Sequence, residues 1–178
     1  FTSTIGIIFQ PVLLQGVSIT KDSTYKPVQN FNWFPVARFT YNFSRTKSFN
    51  FNYFGNARQP AFEQLQPVRD VSNLQFQTEG NPSLRPSISH TLNAGFNNFN
   101  FSSGRVFFSN ISFNFIKDQI VNNVITLTGP TGERTGAQLT RPENVQGFYN
   151  ANLFANYSLP FNNRKYVFST LGMINYNN

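Results

Sequence analysis

Cysteine is absent from this chain, and the other carriers of chemistry are few: one histidine and seven acidic residues in 178. The lack of cysteine excludes a disulfide framework and any thiolate metal site, and it is compatible with an oxidising envelope compartment. No His/Asp/Glu spacing resembles a metal site. His90 has no Ser or Asp partner in a recognisable motif, so neither an enzyme nor a cofactor is expected. The glycines of residues 129–136 are followed by no Lys-Ser/Thr, which rejects a nucleotide loop. No stretch approaches 18 consecutive apolar residues, so a transmembrane helix is excluded. A transmembrane barrel is not, because its signal is spread over short alternating segments.

Charge is also scarce, at 12% of residues, about half the usual share. The net charge of +7 suggests polyanions at first sight. The basic residues are scattered, however, with no run of five like charges, and a nucleic-acid partner is not expected. Residues 1–5 lack a basic n-region and a small-residue cleavage site. Residues 175–178 stop inside a strand-like pattern. Both ends suggest an internal piece of a longer protein.

What the chain has in quantity is aromatics, at 17% with 22 Phe, and more than twenty Asn. They alternate, most clearly in Phe49-Asn50-Phe51-Asn52-Tyr53. Successive side chains of a strand point to opposite faces, so each such segment has one greasy face and one wet one. Averaging the two faces gives the modest mean hydropathy of −0.32. Parity predicts strands at residues 2–10 (extending past Pro11 toward Ile19), 36–44, 48–57, 87–97, 105–117, 144–159 and 165–176. Phe54 is an exception, falling on the wet side.

Short links near 45–47, 98–104 and 160–164 alternate with long ones near 11–35, 58–86 and 118–143. Outer-membrane barrels have this order, with tight periplasmic turns and long outer loops, whereas Greek-key sandwiches break it. Strands of about 9–11 residues suffice to span the hydrocarbon layer when tilted. Phe43, Phe49, Tyr157 and Tyr166, near the short turns, fall where an aromatic girdle belongs. The expected fold is therefore all-β: an antiparallel, up-and-down transmembrane β-barrel segment. Seven strands cannot close a bacterial barrel, which uses an even number, and open edges in hydrocarbon would leave backbone groups unpaired. Residues 1–178 are thus expected to form a single partial barrel domain with no plug, its partners being outer-membrane lipid and the missing remainder of the barrel.

The stretch Arg58-Gln59-Pro60, with Leu65 and the continuation Gln64-Leu65-Gln66-Pro67-Val68, then Asp70 and Ser72-Asn73, resembles TonB-dependent outer-membrane receptors. The likeness is to the outer-membrane β-barrel family common in Bacteroidota. In that family a Gly-Asn-Pro-x-Leu-x-Pro box opens the next strand, here Gly80 to Pro86; the family's following Glu is replaced by Ser87. The resemblance implies a barrel of about 22 strands around a plug, energised uptake of a nutrient (glycan, peptide or metal chelate), and TonB and a surface lipoprotein as candidate partners. The competing readings are a non-transporting barrel (an adhesin or a component of an envelope secretion or assembly complex) and a soluble carbohydrate-binding sandwich.

Candidate ligand-binding residues lie in the long middle loop: Arg58, Glu63, Arg69, Asp70, Glu79 and Arg85. Loops held on rigid scaffolds often bind, although such charges are commonly just solvated. The wet-face amides Asn50, Asn52, Asn93, Asn110, Asn114, Asn150, Asn152 and Asn156 are expected to line the lumen, where they offer neutral hydrogen bonds. In the box, Gly80 and Asn81 accept positive φ while Pro82 and Pro86 stiffen the chain. A structural corner at the rim is the simpler role. Lys117 and Asp118 read as a solvated pair at a strand end, and His90 as an interfacial residue.

Overall fold

The computed structural model describes residues 1–18 and 23–178, with side chains described for 1–13 and 29–178. Ile19, toward which the first strand was extended by parity, lies outside the described residues. In chain order the elements are β1 (Thr2–Ser18), β2 (Ser23–Ser44), β3 (Lys47–Arg58), one helical turn α1 (Phe62–Leu65), β4 (Arg69–Asp70) and β5 (Phe76–Glu79). They continue with β6 (Ser87–Phe99), β7 (Val106–Lys117), β8 (Gln119–Thr128), β9 (Arg134–Val145), β10 (Phe148–Phe161) and β11 (Tyr166–Asn177). Among the described residues no helix is long and apolar enough to cross a membrane.

Seven strands form one antiparallel sheet in the order β1-β2-β3-β6-β7-β10-β11, so each strand lies beside the one reached by the next connection. These are the seven strands expected from alternation. A second sheet, β4-β5-β9-β8, is built wholly from the long connections. Its β5 and β9 pair in parallel.

Three boundaries differ from the sequence expectation. Residues 11–18 and 23–35 are not a loop but strands of a long β1–β2 hairpin, whose ladder runs through Pro11↔Phe31 and Ile7↔Pro35. At Pro35 a proline is tolerated because the β2–β3 ladder stops at Ala37↔Tyr53, leaving no partner on that side for a donor. Beyond that point side chains hold the hairpin on β3. The Gln10 amide donates to the Ala57 carbonyl at 2.9 Å and accepts from its N–H at 3.1 Å, and the Asn30 amide donates to Gln59 at 3.1 Å. The link at 58–86 contains α1, β4 and β5. Finally, the strand expected at 144–159 is two strands, β9 and β10, broken at Gly147 with φ 81°.

The accessible surface is 12511 Å², whereas a compact monomer of this mass would expose roughly 8,800 Å². Many large apolar side chains contribute to the excess. Ile5, Phe9, Trp33, Ile111, Phe113, Phe168 and Ile174 are all exposed. Among the described residues the buried apolar ones include Phe34, Ala57, Leu84 and Leu139, and the buried polar ones are Ser87 and Asp118. All six lie toward the long connections, where the second sheet meets the first. Away from that end, Gly95 is the buried residue among the described residues of the wall.

Candidate functional site

Residues directly opposite in an antiparallel ladder share a face, so register assigns the sides without reference to polarity. One row across the wall reads Thr4, Arg38, Asn52, Asn93, Ser112, Asn152, Asn175. The row beside it reads Thr2, Thr40, Asn50, Gly95, Asn110, Phe154, Met173, and the row on its other side Phe54, Thr91, Asn114, Asn150, Asn177. Asn156 follows in the row of Asn42, Ser48, Asn97 and Phe108. All eight amides singled out by parity therefore lie on one face. The opposite face carries rows such as Phe39, Phe51, Ala94, Ile111, Leu153, Ile174. Neighbouring polar groups partly satisfy each other: Arg38 Nε donates to Asn52 at 3.0 Å and Thr91 Oγ1 to Asn114 at 3.1 Å.

The polar face is not uniformly polar. Phe108 and Phe154 meet there at 5.7 Å between ring centroids, beside Leu171 and Met173. Sequence reasoning passed over this island, although the adjacent pair Phe107-Phe108 signals it: two neighbours in a strand cannot share a face.

At the long-connection end the chain leaves the wall at Asp118 and returns at Gly147, both with left-handed backbone (φ 55° and 81°). Asp118 is buried rather than solvated, and its carboxylate takes an ion pair from Arg85 at 2.6 Å and a hydrogen bond from the Gln146 amide. It pairs with Arg85, not with the adjacent Lys117, which lies opposite Ile88 on the apolar face. Asn144 ties the same corner together. Its oxygen accepts from the Arg85 N–H at 2.8 Å, and its amide nitrogen donates to the Arg85 carbonyl at 3.0 Å and the Asp118 carbonyl at 2.8 Å.

The Gly80–Pro86 segment lies against this corner. Asn81 donates from its side chain to the Pro142 carbonyl at 3.0 Å and from its backbone N–H to the Gln64 carbonyl at 2.6 Å, and its side-chain oxygen accepts from Ser83. Neither Gly80 nor Asn81 has positive φ. Gly80 is needed for a different reason: a Cβ there would lie 2.2 Å from the Gln66 carbonyl oxygen and 2.8 Å from that of Glu63.

Of the six candidate loop residues, Glu63, Asp70 and Glu79 are brought together around a recess of about 410 Å³, with Asn122, Thr140 and Pro142. Arg69 joins them by its ion pair to Glu79 at 2.9 Å across the β4–β5 ladder. Hydrogen bonds from Ser72, its backbone N–H first, hold the Asp70 carboxyl below its ordinary pKa. Arg58 is apart, lining a second recess of about 360 Å³ with Gln59, Gln64 and Gln119. Arg85 is engaged at the Asp118 corner. Among the described residues no group of His, Asp and Glu could hold a metal ion. His90 lies on the apolar face, where its Nδ1 is 2.9 Å from the Tyr53 hydroxyl and its ring stacks between Tyr53 and Phe115.

A family profile described as the outer membrane protein beta-barrel family matches residues 1–178. Among solved structures the chain is similar to the siderophore receptor PirA from Pseudomonas aeruginosa, with 18% identity and a TM-score of 0.61 over 97% of this chain and 32% of that one. It is also similar to the hemophore receptor HasR of Serratia marcescens, solved as a double mutant with its hemophore HasA and heme. There the identity is 12% and the TM-score 0.53, over 97% of this chain and 29% of that one. The chain spans about a third of the length of these receptors. At these identities the likeness is one of fold. No curated protein matches the chain.

Proposed function

Because the chain belongs to the outer membrane protein beta-barrel family, we propose that it is a sector of the wall of a TonB-driven uptake receptor in the bacterial outer membrane, importing a glycan, a peptide or a metal chelate. The observation that carries this reading is the wall itself: seven antiparallel strands with the amides on one face and the apolar rows on the other. In lipid a polar face must be turned from the hydrocarbon, and an open edge must be paired. The apolar face then meets lipid, and Asn50, Asn52, Asn93, Asn110, Asn114, Asn150, Asn152 and Asn156 line the lumen. The whole chain is one partial barrel domain, and the remaining strands and a plug come from the rest of the protein. The role is transport, not catalysis.

Substrate contact falls to the second sheet and its neighbours. Glu63 and Asp70, with Asn122 and Thr140, line a recess that suits a hydroxyl-rich or cationic group. Arg58 serves the adjoining recess. Arg69, Glu79 and Arg85 hold the surrounding structure through their ion pairs.

The test is uptake of labelled nutrients by cells expressing the complete gene, with and without TonB. Uptake that needs TonB and falls in Glu63→Ala/Asp70→Ala supports the proposal. No TonB-dependent uptake, with a defect in adhesion or envelope assembly on deletion, would assign the chain to a non-transporting barrel.

A further inference from the structure

The wall's two ends differ in charge: carboxylates and basic residues mix at the long connections, whereas the short turns carry basic residues alone. The six carboxylates among the described residues, Glu63, Asp70, Glu79, Asp118, Glu133 and Glu143, all lie on the side of the long connections. The short turns carry Arg45, Lys47, Arg105, Arg164 and Lys165, every one exposed, and no carboxylate. Among the described residues none of these five is in an ion pair.

Their placement is as informative as their sign. Register puts Lys47 on the apolar face, in the row of Asn98, Phe107 and Tyr157. Its Nζ lies over the Phe43 ring at 5.1 Å and the Phe96 ring at 5.7 Å. Lys165 Nζ lies 5.7 Å from the Tyr166 ring, which stacks on Phe161 at 5.5 Å. Arg164 donates to the Phe101 and Ser102 carbonyls at 2.6 and 2.7 Å, binding the second short turn to the third. The lysine ammonium groups thus lie over aromatic rings at the end of the apolar face, the boundary at which long cations settle at a membrane interface.

We propose that Arg45, Lys47, Arg105, Arg164 and Lys165 form a cationic rim that binds the phosphate groups of anionic phospholipids in the leaflet facing the short turns. The inference rests on the reading of the apolar face as the lipid face. Charge complementarity selects an anion, and the position of Lys47 over rings of that face selects one carried in the lipid layer. A soluble acidic partner would not reach a cation held there. Each basic residue near an anionic surface adds to the attraction, so the rim favours anionic over zwitterionic headgroups without a deep pocket.

The complete receptor would be reconstituted in nanodiscs of equimolar phosphatidylglycerol and phosphatidylcholine, released, and weighed by native mass spectrometry with its retained lipids. The expected result is enrichment of phosphatidylglycerol by about fivefold or more. It should be lost in Arg45→Gln/Lys47→Gln/Arg105→Gln/Lys165→Gln, which spares the turn-binding Arg164, and kept in Arg134→Gln at the other end. Lys47→Arg/Lys165→Arg preserves charge and should keep the enrichment, so it tests the proposal should the quadruple variant fail to fold. Equal retention of both lipids, or enrichment unchanged by the quadruple variant, would overturn the rim while leaving the barrel reading intact. Failure to retain any lipid would count against both.

Discussion

Gly80 illustrates how a residue can be legible in sequence for one reason and required in structure for another. Within the Gly-Asn-Pro box its obvious use is backbone freedom, yet its φ is ordinary. What it lacks is room, since the Gln66 and Glu63 carbonyl oxygens occupy the place of a Cβ. Backbone cannot give way as the end of a flexible side chain can. Gly80→Ala should therefore displace α1 from the box and break the Asn81 N–H bond to Gln64, at a cost of about 1–3 kcal/mol. Hydrogen exchange across residues 62–86 of the complete receptor would show it as lost protection confined to that segment. Unchanged protection would mean the close approach is not maintained in solution. At the same scale the charged loop residues were visible as a set, but their pairing was not. Which of Arg58, Arg69 and Arg85 meets which carboxylate depends on how β4, β5 and β9 come together, and that contact spans some sixty residues of chain.

Elements were readable wherever alternation was strict and obscured where another constraint overrode it. The strands 36–44, 48–57, 87–97 and 105–117 were found in place because aromatic and amide residues follow the pleat there, with Phe54 and Phe108 as exceptions. In the β1–β2 hairpin the extension of the first strand past Pro11 was legible, whereas residues 23–35 fell within an expected link, where Pro27 and Pro35 argue against a strand. The β9–β10 break was missed because the polar/apolar pattern runs through it, while the direction of the chain changes at Gly147. Asn144 secures that break. It bonds both main-chain groups of Arg85 and the carbonyl of Asp118, acting as a strand partner made of one side chain. Asn144→Ala leaves three backbone groups to find water, and unsatisfied groups cost about 1–3 kcal/mol when buried. The expected outcome is lower protection of the β8–β9 hairpin and of Arg85, with the wall strands unaffected. Asn144→Asp, which keeps the acceptor and loses the donor, should fall between the two. Loss of protection throughout the wall would show that the second sheet is integral to it.

For the whole molecule the decisive quantity is the surface left over, an excess of thousands of Å² beyond a compact fold and mostly apolar along one face. That face needs a solvent that is not water, and the family assignment supplies it. The assignment of faces to lipid and lumen makes a directional demand that substitutions can test. Ile111 lies mid-strand on the apolar face between Ala94 and Leu153, and Asn93 on the polar face between Asn52 and Ser112. A lysine facing lipid near the bilayer midplane costs about 2–4 kcal/mol, while lumen positions tolerate charge. In the complete receptor folded into phosphatidylcholine vesicles, Ile111→Lys should lower stability to urea by that amount and Asn93→Lys by far less. Phe113→Lys, one row nearer the long connections, should cost less than Ile111→Lys because its stem starts closer to the interface. The ordering carries the argument: a larger penalty at Asn93 than at Ile111 would mean that the amide face is the one turned to hydrocarbon, and the lumen would have to be sought on the aromatic side.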